Sequence, residues 1–187
     1  MAVSAVEEMV LGEALITEDA IARRVAELGE EISGAYAGIG SPLVVISILK
    51  GSIFFTADLG RALTIPVEFE FVACRSYGAD TKSSGTVELT KDVGMSLTGR
   101  HVLVVEDIVD TGLTTSFVLE HMRSHGPESV KLVALLDKEG RRLREVDADF
   151  RGFNIPNEFV VGYGLDLGES YRNLRDIRVM RAKVPSR

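Results

Sequence analysis

Residues 102–115 read VLVVEDIVDTGLTT, an apolar run that passes into three carboxylates and then into a turn of threonine and glycine. The apolar part is typical of a strand buried on both faces of a sheet. Residues from 115 to about 124 are predicted to continue as a helix. In an open parallel sheet, ligands bind beyond the carboxyl ends of the strands, where the polar part of this stretch lies. The stretch therefore predicts an α/β fold and a binding site at the end of this strand.

Two other apolar runs, at 43–49 (LVVISIL) and 130–136 (VKLVALL), predict further buried strands. The remaining predicted elements are helices at 17–34 and about 52–63 and strands at 67–71, 159–163 and near 177–179. Apolar strands that alternate with helices are typical of a parallel sheet with helices on both faces. We find no internal repeat and no interdomain linker, so we expect a single domain.

The composition is that of a globular, acidic chain. Its 187 residues include 21 Lys and Arg against 28 Asp and Glu, a net charge of −7, and 45% of them are hydrophobic. Binding to a nucleic-acid backbone requires clustered cations, and stacking on bases requires aromatic platforms. Aromatic residues make up only 6% of the chain and Trp is absent. We therefore expect no nucleic-acid partner.

Three further signals predict a cytoplasmic location. The single cysteine, Cys74, cannot form an internal disulfide and argues against a metal cage of the Cys/His type; we expect it as a small core residue. The N-terminus, MAVSAVEEMVLGEAL, carries acids where a signal peptide needs cations. The longest apolar stretch, residues 43–49, is too short to cross a bilayer. We expect no membrane partner.

The turn at residues 110–115, DTGLTT, has the chemistry of a phosphate cradle. It offers successive backbone N–H groups, the hydroxyls of three threonines and a helix N-terminus, all of which suit a phosphate group. Gly112 permits the positive φ or the close backbone approach that such a cradle needs. We predict that a phosphate group of the ligand binds here.

Three acids, Glu106, Asp107 and Asp110, lie close together with no Lys or Arg between residues 102 and 119. Their mutual repulsion predicts a partner that relieves it. A sugar diol does so, and so does Mg²⁺ bound through oxygen ligands and phosphate. The alternative is that the acids cap the helix and face solvent.

The segment VVEDIVDTGLTT resembles the phosphoribosyl-pyrophosphate signature of the type I phosphoribosyltransferases. The resemblance extends over most of the chain and is closest to the bacterial hypoxanthine-guanine branch of that family. Four further motifs match the family in order: LKGSIFF at 49–55, RSYG at 75–78, LLDK at 135–138 and FVVGYGLD at 159–166.

The resemblance implies a type I phosphoribosyltransferase fold, with a parallel core sheet flanked by helices, a small C-terminal hood and a mobile active-site loop. We expect a single domain over 1–187, with the core at about 15–140 and the hood at about 141–187, to which the N-terminus can contribute. The lid loop begins with Arg75, Ser76, Tyr77 and Gly78 and would close over the reacting centre to exclude water.

The activity implied by the resemblance is purine salvage. The family transfers 5-phosphoribosyl from phosphoribosyl pyrophosphate to N9 of a 6-oxopurine, hypoxanthine or guanine, and yields IMP or GMP and pyrophosphate, with Mg²⁺ as cofactor. The family also suggests a homodimer or homotetramer. Two alternatives stay open: a regulator that keeps the fold and binds nucleic acid, and a phosphoribosyltransferase for another base such as xanthine.

The resemblance also implies roles for individual residues. Asp110 is the catalytic residue, a general base or acid near purine N7. Phosphoribosyl pyrophosphate is bound by Lys50, Gly51, Glu106, Asp107, Asp110, Thr111, Gly112, Leu113, Thr114, Thr115 and Arg172. The purine is bound by Lys138, Phe159, Val160 and Asp166, and Mg²⁺ by Glu106, Asp107 and Asp166.

Some of these assignments have plainer alternatives. Leu113 stands where other family members carry lysine, so its side chain adds no charge to the cradle. Lys50, whose bond to Gly51 is expected to be cis by the resemblance, reads otherwise as a solvated strand-end lysine. Arg172 reads otherwise as part of a solvated cationic tail, and Phe159 as an ordinary strand residue.

Overall fold

The computed structural model describes residues 9–76, 87–138 and 140–183. The described part of the chain contains nine strands and three helices. In chain order they are β1 (Met9–Ile16), α1 (Glu18–Ala35), β2 (Leu43–Leu49), α2 (Ile53–Ala62), β3 (Val67–Ser76), β4 (Val87–Lys91), β5 (His101–Val109), α3 (Leu113–Ser124), β6 (Ser129–Lys138), β7 (Phe150–Ile155), β8 (Val160–Val161) and β9 (Ile177–Ala182).

The larger sheet has the strand order β4-β3-β2-β5-β6-β7. All neighbouring strands are parallel except β3 and β4, which are antiparallel. Successive residues of β2 enter two different cores: Leu43 packs with the residues of α1 and α2, and Val44 packs with those of α3. The sheet is therefore buried on both faces, and the predicted α/β fold with a parallel core sheet is confirmed.

Helix α1 follows directly from its sequence. The Thr17 hydroxyl accepts a hydrogen bond from the Ala20 N–H at 3.3 Å, and two acids occupy the first turn, where the helix dipole favours negative charge. Its buried residues recur at helical spacing: Ile21, Val25, Leu28 and Ile32. This amphipathic pattern packs the helix onto the sheet, as predicted.

The smaller sheet has the order β1-β9-β8 and is antiparallel. It joins the first described strand of the chain to the last, and β1 was absent from the predicted elements.

Strand β7 was also missed, and it pairs with β6 at the edge of the larger sheet. Since β7 lies beyond residue 140, part of the segment expected in the hood belongs to the core sheet. We propose that the core extends through β7 and that the hood begins after this strand.

Within the described residues, no helix is both long enough and apolar enough to cross a membrane.

Candidate active site

A cavity of about 720 Å³ lies where the carboxyl ends of β2, β5 and β6 meet the segment around β8. Most of the residues assigned by resemblance line this one cavity. They are Lys50, Gly51, Glu106, Asp107, Asp110, Thr111, Gly112, Thr114, Thr115, Lys138, Phe159, Val160, Asp166 and Arg172. The structure therefore brings together side chains that are far apart in sequence.

A few assigned residues do not line the cavity. Leu113 begins α3 but is not part of the lining. Arg75 is exposed near the end of β3 and does not line the cavity, and Ser76 is the last residue of that strand. Tyr77 and Gly78, the rest of the expected lid motif, lie outside the described residues.

The cavity also includes residues that the sequence interpretation missed. Cys74, expected as a small core residue, is half-buried and lines the cavity; burial, followed by the carboxylates of Glu106 and Asp92, raises its thiol pKa to about 11. The thiol therefore stays protonated. Arg141 follows the end of β6, and that position alone could have placed it at the same sheet edge as Asp110.

The phosphate cradle is built on Gly112. This residue has a φ of +80°, in line with the positive φ that the sequence allowed for it, and it stands immediately before α3. A Cβ at this position would lie 2.3 Å from the carbonyl oxygen of Arg144, so only glycine fits. The Thr111 carbonyl accepts hydrogen bonds from the Leu143 N–H at 2.8 Å and the Arg144 N–H at 3.1 Å, which fix the turn from behind.

The first turn of α3 presents backbone donors to the cavity side. The earliest bond of the helix runs from the Ser116 N–H to the Gly112 carbonyl at 2.9 Å. The N–H groups of Thr114 and Thr115 precede it and have no acceptor within the helix. Both residues line the cavity, so the helix N-terminus offers an anion site there.

The acidic pair at the end of β5 is under strong electrostatic strain. Burial raises the pKa of Glu106 well above its usual value, and the neighbouring Asp107 carboxylate adds to the increase. Burial also raises the pKa of Asp107, against the opposing effects of hydrogen bonds and of Arg172. The Glu106 carboxylate accepts a bond from the Thr115 hydroxyl at 3.3 Å. Hydroxyl donors or a cation would stabilise the ionised pair, as the sequence predicted.

Two close backbone approaches position this pair. A Cβ on Gly51 would lie 1.6 Å from Oδ2 of Asp107, and a Cβ on Gly164 would lie 1.9 Å from the carbonyl oxygen of Gly51. The cis peptide bond of this region joins Leu49 and Lys50, so the expectation of a cis bond between Lys50 and Gly51 was wrong by one position. Neither bond involves proline, so the sequence carries no local signal that distinguishes them.

Asp110 lies between two cations. Its Oδ2 is 3.4 Å from the Lys138 ammonium, which is buried at the end of β6, and 3.8 Å from the Arg141 guanidinium. Its Oδ1 is buried and has no hydrogen-bond partner among the described residues. One oxygen of the Asp110 carboxylate is thus held by two cations at the edge of the cavity.

The main chain of Asp110 is held by Arg142, which the sequence interpretation missed. The Arg142 guanidinium donates to the carbonyl oxygens of Val109 and Asp110, both at 2.6 Å. Its other terminal nitrogen pairs with the buried carboxylate of Asp137, which Arg151 also approaches at 2.6 Å. This network ties the segment after β6 to the turn that carries Asp110.

At the opposite end of the cavity, one acid bridges two cations. Glu169 accepts from the Lys50 ammonium at 2.9 Å and lies 3.4 Å from the Arg172 guanidinium. Arg172 also pairs with Asp166 at 2.8 Å and donates to the Gly164 carbonyl at 2.7 Å. The hydrogen bond from Lys50 and the charge of that ammonium lower the pKa of Glu169.

A parallel sheet whose strand β5 ends in an acidic pair and a threonine-glycine phosphate turn defines the class of type I phosphoribosyltransferases. Comparison with known proteins agrees with this assignment. The family model of the phosphoribosyl transferase domain matches residues 13–167, and the chain belongs to that family.

Relatives within the family share one activity in their names. The hypoxanthine-guanine phosphoribosyltransferase of Mycobacterium avium is 45% identical over 174 residues, which cover 91% of this chain and 86% of that one. The enzyme of the same name from Bacillus subtilis is 45% identical over 170 residues, covering 91% and 93%. A solved structure of Trypanosoma cruzi hypoxanthine phosphoribosyl transferase is 46% identical, covers 91% and 92% and has a TM-score of 0.87.

Proposed function

We propose that this phosphoribosyltransferase transfers the 5-phosphoribosyl group of phosphoribosyl pyrophosphate to N9 of a 6-oxopurine, with hypoxanthine and guanine as the bases. The observation that carries the proposal is the pairing of Asp110 with the buried Lys138 beside the phosphate cradle. A carboxylate beside an ammonium donor matches the N7 and 6-oxo edge of such a base.

Lys138 supports selectivity for the 6-oxo group. Its ammonium can only donate hydrogen bonds, so it satisfies a carbonyl oxygen and leaves a 6-amino group unpaired. Phe159 is 45% exposed and lines the cavity, where its ring is available to stack on the base. We assign the Val160 carbonyl to the ring edge of the purine.

The donor substrate is assigned to the rest of the cavity. The 5′-phosphate binds the N–H groups and hydroxyls of residues 111–115, and the ribose hydroxyls donate to Glu106 and Asp107. The pyrophosphate binds at Lys50, Gly51 and Arg172. With these assignments, the sugar C1 would lie between the leaving group and the purine nitrogen.

The residues present also fit magnesium. Mg²⁺ prefers carboxylate oxygens together with substrate phosphates, and the destabilised pair of Glu106 and Asp107 gains from a nearby cation. We assign these two residues and Asp166 to hold it. Bound magnesium supplies charge neutralisation for the departing pyrophosphate.

The chemical step needs a group that accepts the proton from N7 of the purine base. As N9 forms its bond to C1 and the bond from C1 to the pyrophosphate oxygen breaks, the proton on N7 passes to the carboxylate of Asp110. Lys138 and Arg141 hold Oδ2 of that carboxylate. Arg142 positions the main chain of Asp110.

A direct assay tests the proposal. Purified protein with phosphoribosyl pyrophosphate, Mg²⁺ and hypoxanthine or guanine should release pyrophosphate, and adenine should give much lower rates. Inactivity with hypoxanthine, guanine and xanthine would overturn the proposal. A strong preference for xanthine would favour the alternative of another base, and salt-sensitive binding to RNA or DNA would favour a regulator. A homodimer or homotetramer, a cytoplasmic location and closure of the lid loop stay predictions.

Glu169 supplies a prediction about donor affinity. Its carboxylate pairs with Lys50 and Arg172, the cations assigned to pyrophosphate, so it competes with the donor for them. Because such exposed pairs are weak, we expect Glu169→Gln to lower the KM for phosphoribosyl pyrophosphate by about two- to fivefold, with kcat little changed. Steady-state kinetics at varied donor concentration measures this.

The matched control is Glu145→Gln, at an exposed acid that does not line the cavity. It removes the same charge and should leave the KM unchanged. An increase of the KM in Glu169→Gln would show instead that Glu169 helps to bind the donor.

A further inference from the structure

Asp92, His121 and His125 form a separate cluster outside the cavity. Among the described residues they are a group of metal-ligating side chains in which one ligand atom from each lies within 4.8 Å of the others. His121 lies in the last turn of α3 and His125 is the residue that follows the helix. Asp92 directly follows β4. The cluster therefore joins two elements that are distant in sequence.

The spacing of the two histidines suits a shared ligand. Residues four apart on a helix lie on the same face, one above the other. The imidazole centroids of His121 and His125 are 4.7 Å apart. Asp92 reaches the same face from the other side, with its Oδ2 at 2.8 Å from Nε2 of His121.

Hydrogen bonds orient the side chains of His125 and Asp92 that would bind the metal. Nδ1 of His125 lies 2.9 Å from the carbonyl oxygen of His121, which can only accept, so Nδ1 donates and Nε2 keeps its lone pair. A backbone carbonyl on the second ring nitrogen is the usual arrangement behind a metal-binding histidine. The other Asp92 oxygen, Oδ1, accepts the Val93 N–H at 2.7 Å, which orients the carboxylate.

Charge also favours a cation here. Partial burial raises the pKa of Asp92, but the Val93 N–H and the two imidazoles lower it by more, so the net pKa lies below its usual value. The carboxylate is thus ionised at neutral pH. Between it and His121 Nε2 there is a single proton, whose place a cation can take.

We propose that Asp92, His121 and His125 form a binding site for a divalent transition cation of the zinc class. Two imidazole nitrogens and one carboxylate oxygen suit Zn²⁺, Ni²⁺ or Cu²⁺, whereas Mg²⁺ prefers an all-oxygen environment. Ligand atoms around tetrahedral zinc lie about 3.3 Å apart; Asp92 Oδ2 and His121 Nε2 are already 2.8 Å apart, and the most distant pair needs to close by about 1.5 Å at most. Asp92 and His121 are partly exposed and free to make that adjustment.

Zinc titration of metal-free protein tests the site. The titration is done by calorimetry, and zinc bound at the carboxylates of the active site is common to the wild type and the variants. The wild type should bind one Zn²⁺ more than the double variant His121→Ala/His125→Ala. Asp92→Asn, which keeps the side-chain volume, should weaken binding by about 10-fold or more. Zinc should raise the Tm of the wild type and not that of the double variant.

The matched control is Glu120→Gln, an exposed position on the same helix that is outside the cluster. It should bind zinc as the wild type does. Circular dichroism checks that each variant is folded, and Asp92→Asn replaces the double variant if that fails to fold. Two results would overturn the proposal. One is equal zinc stoichiometry and affinity in the wild type and in the variants of Asp92, His121 and His125, and the other is no zinc binding by the wild type. Because the cluster lies outside the cavity, its variants should still release pyrophosphate as the wild type does. This assay therefore tests the proposed function separately from the zinc site.

Discussion

Replacing Asp110 with asparagine is expected to lower kcat by about 10²–10⁴-fold, the usual contribution of a positioned general base. Asp110 lines the cavity, and its carboxylate is assigned to the N7 proton. An amide cannot accept that proton. The phosphate cradle and the acidic pair are untouched by the change, so the Kd for phosphoribosyl pyrophosphate should change little. Steady-state kinetics and donor binding without the base measure the two effects.

Asp147→Asn is the matched control for this prediction, because it makes the same exchange at an exposed residue that does not line the cavity. Its kcat and its donor affinity should both match the wild type. An equal loss of kcat and of donor affinity in Asp110→Asn would contradict the acid–base role. It would indicate instead that the variant disturbs the cradle that follows Asp110.

The second large effect is expected from Gly112→Ala. The substitution puts a side chain on a residue at φ +80°, which costs ~1–2 kcal/mol of stability for the left-handed backbone. The new Cβ also meets the Arg144 carbonyl at 2.3 Å, and such overpacking costs a further ~1–3 kcal/mol. Relief of the contact moves the cradle, and a shift near 1 Å lowers kcat/KM for the donor by about 100-fold. Urea unfolding and donor kinetics test both parts.

Gly38 offers a close control. It has the same φ of +80°, but a Cβ there would meet nothing within 4 Å. Gly38→Ala should therefore show the backbone cost alone, with full activity. If the two variants lose the same stability and both stay active, the contact with Arg144 is not what requires glycine at position 112.

The central strands and the cradle were predictable because their signals are local. Strands β2, β5 and β6 are apolar runs, and a strand buried on both faces has that pattern whatever its neighbours are. The order of the polar residues after β5 was enough to predict a glycine turn that leads into a helix, while phosphate binding there stays a prediction. Helix α3 begins at Leu113, two residues before the predicted start, and Gly112 is the residue that caps it.

Features that depend on distant partners were missed. Strand β4 pairs with β3, β7 with β6 and β1 with β9, and their sequences lack a continuous apolar run. The pairing of Glu169 with Lys50 joins residues far apart in the chain, and so does the bond from Arg142 to the Val109 carbonyl. An arginine or glutamate has the same local pattern whether it is solvated or holds a site together.

The pairing of β1 with β9 has a consequence for the order in which the molecule is made. Strand β1 is synthesised before the other described strands, but its hydrogen-bonding partner, β9, follows all of them. Asp166 and Arg172 lie between β8 and β9, so the active site also waits for this late segment. A nascent chain can form the larger sheet earlier, yet it keeps an unpaired β1 edge until translation has passed β9. Chains that end before β9 therefore expose a strand edge open to pairing with other chains.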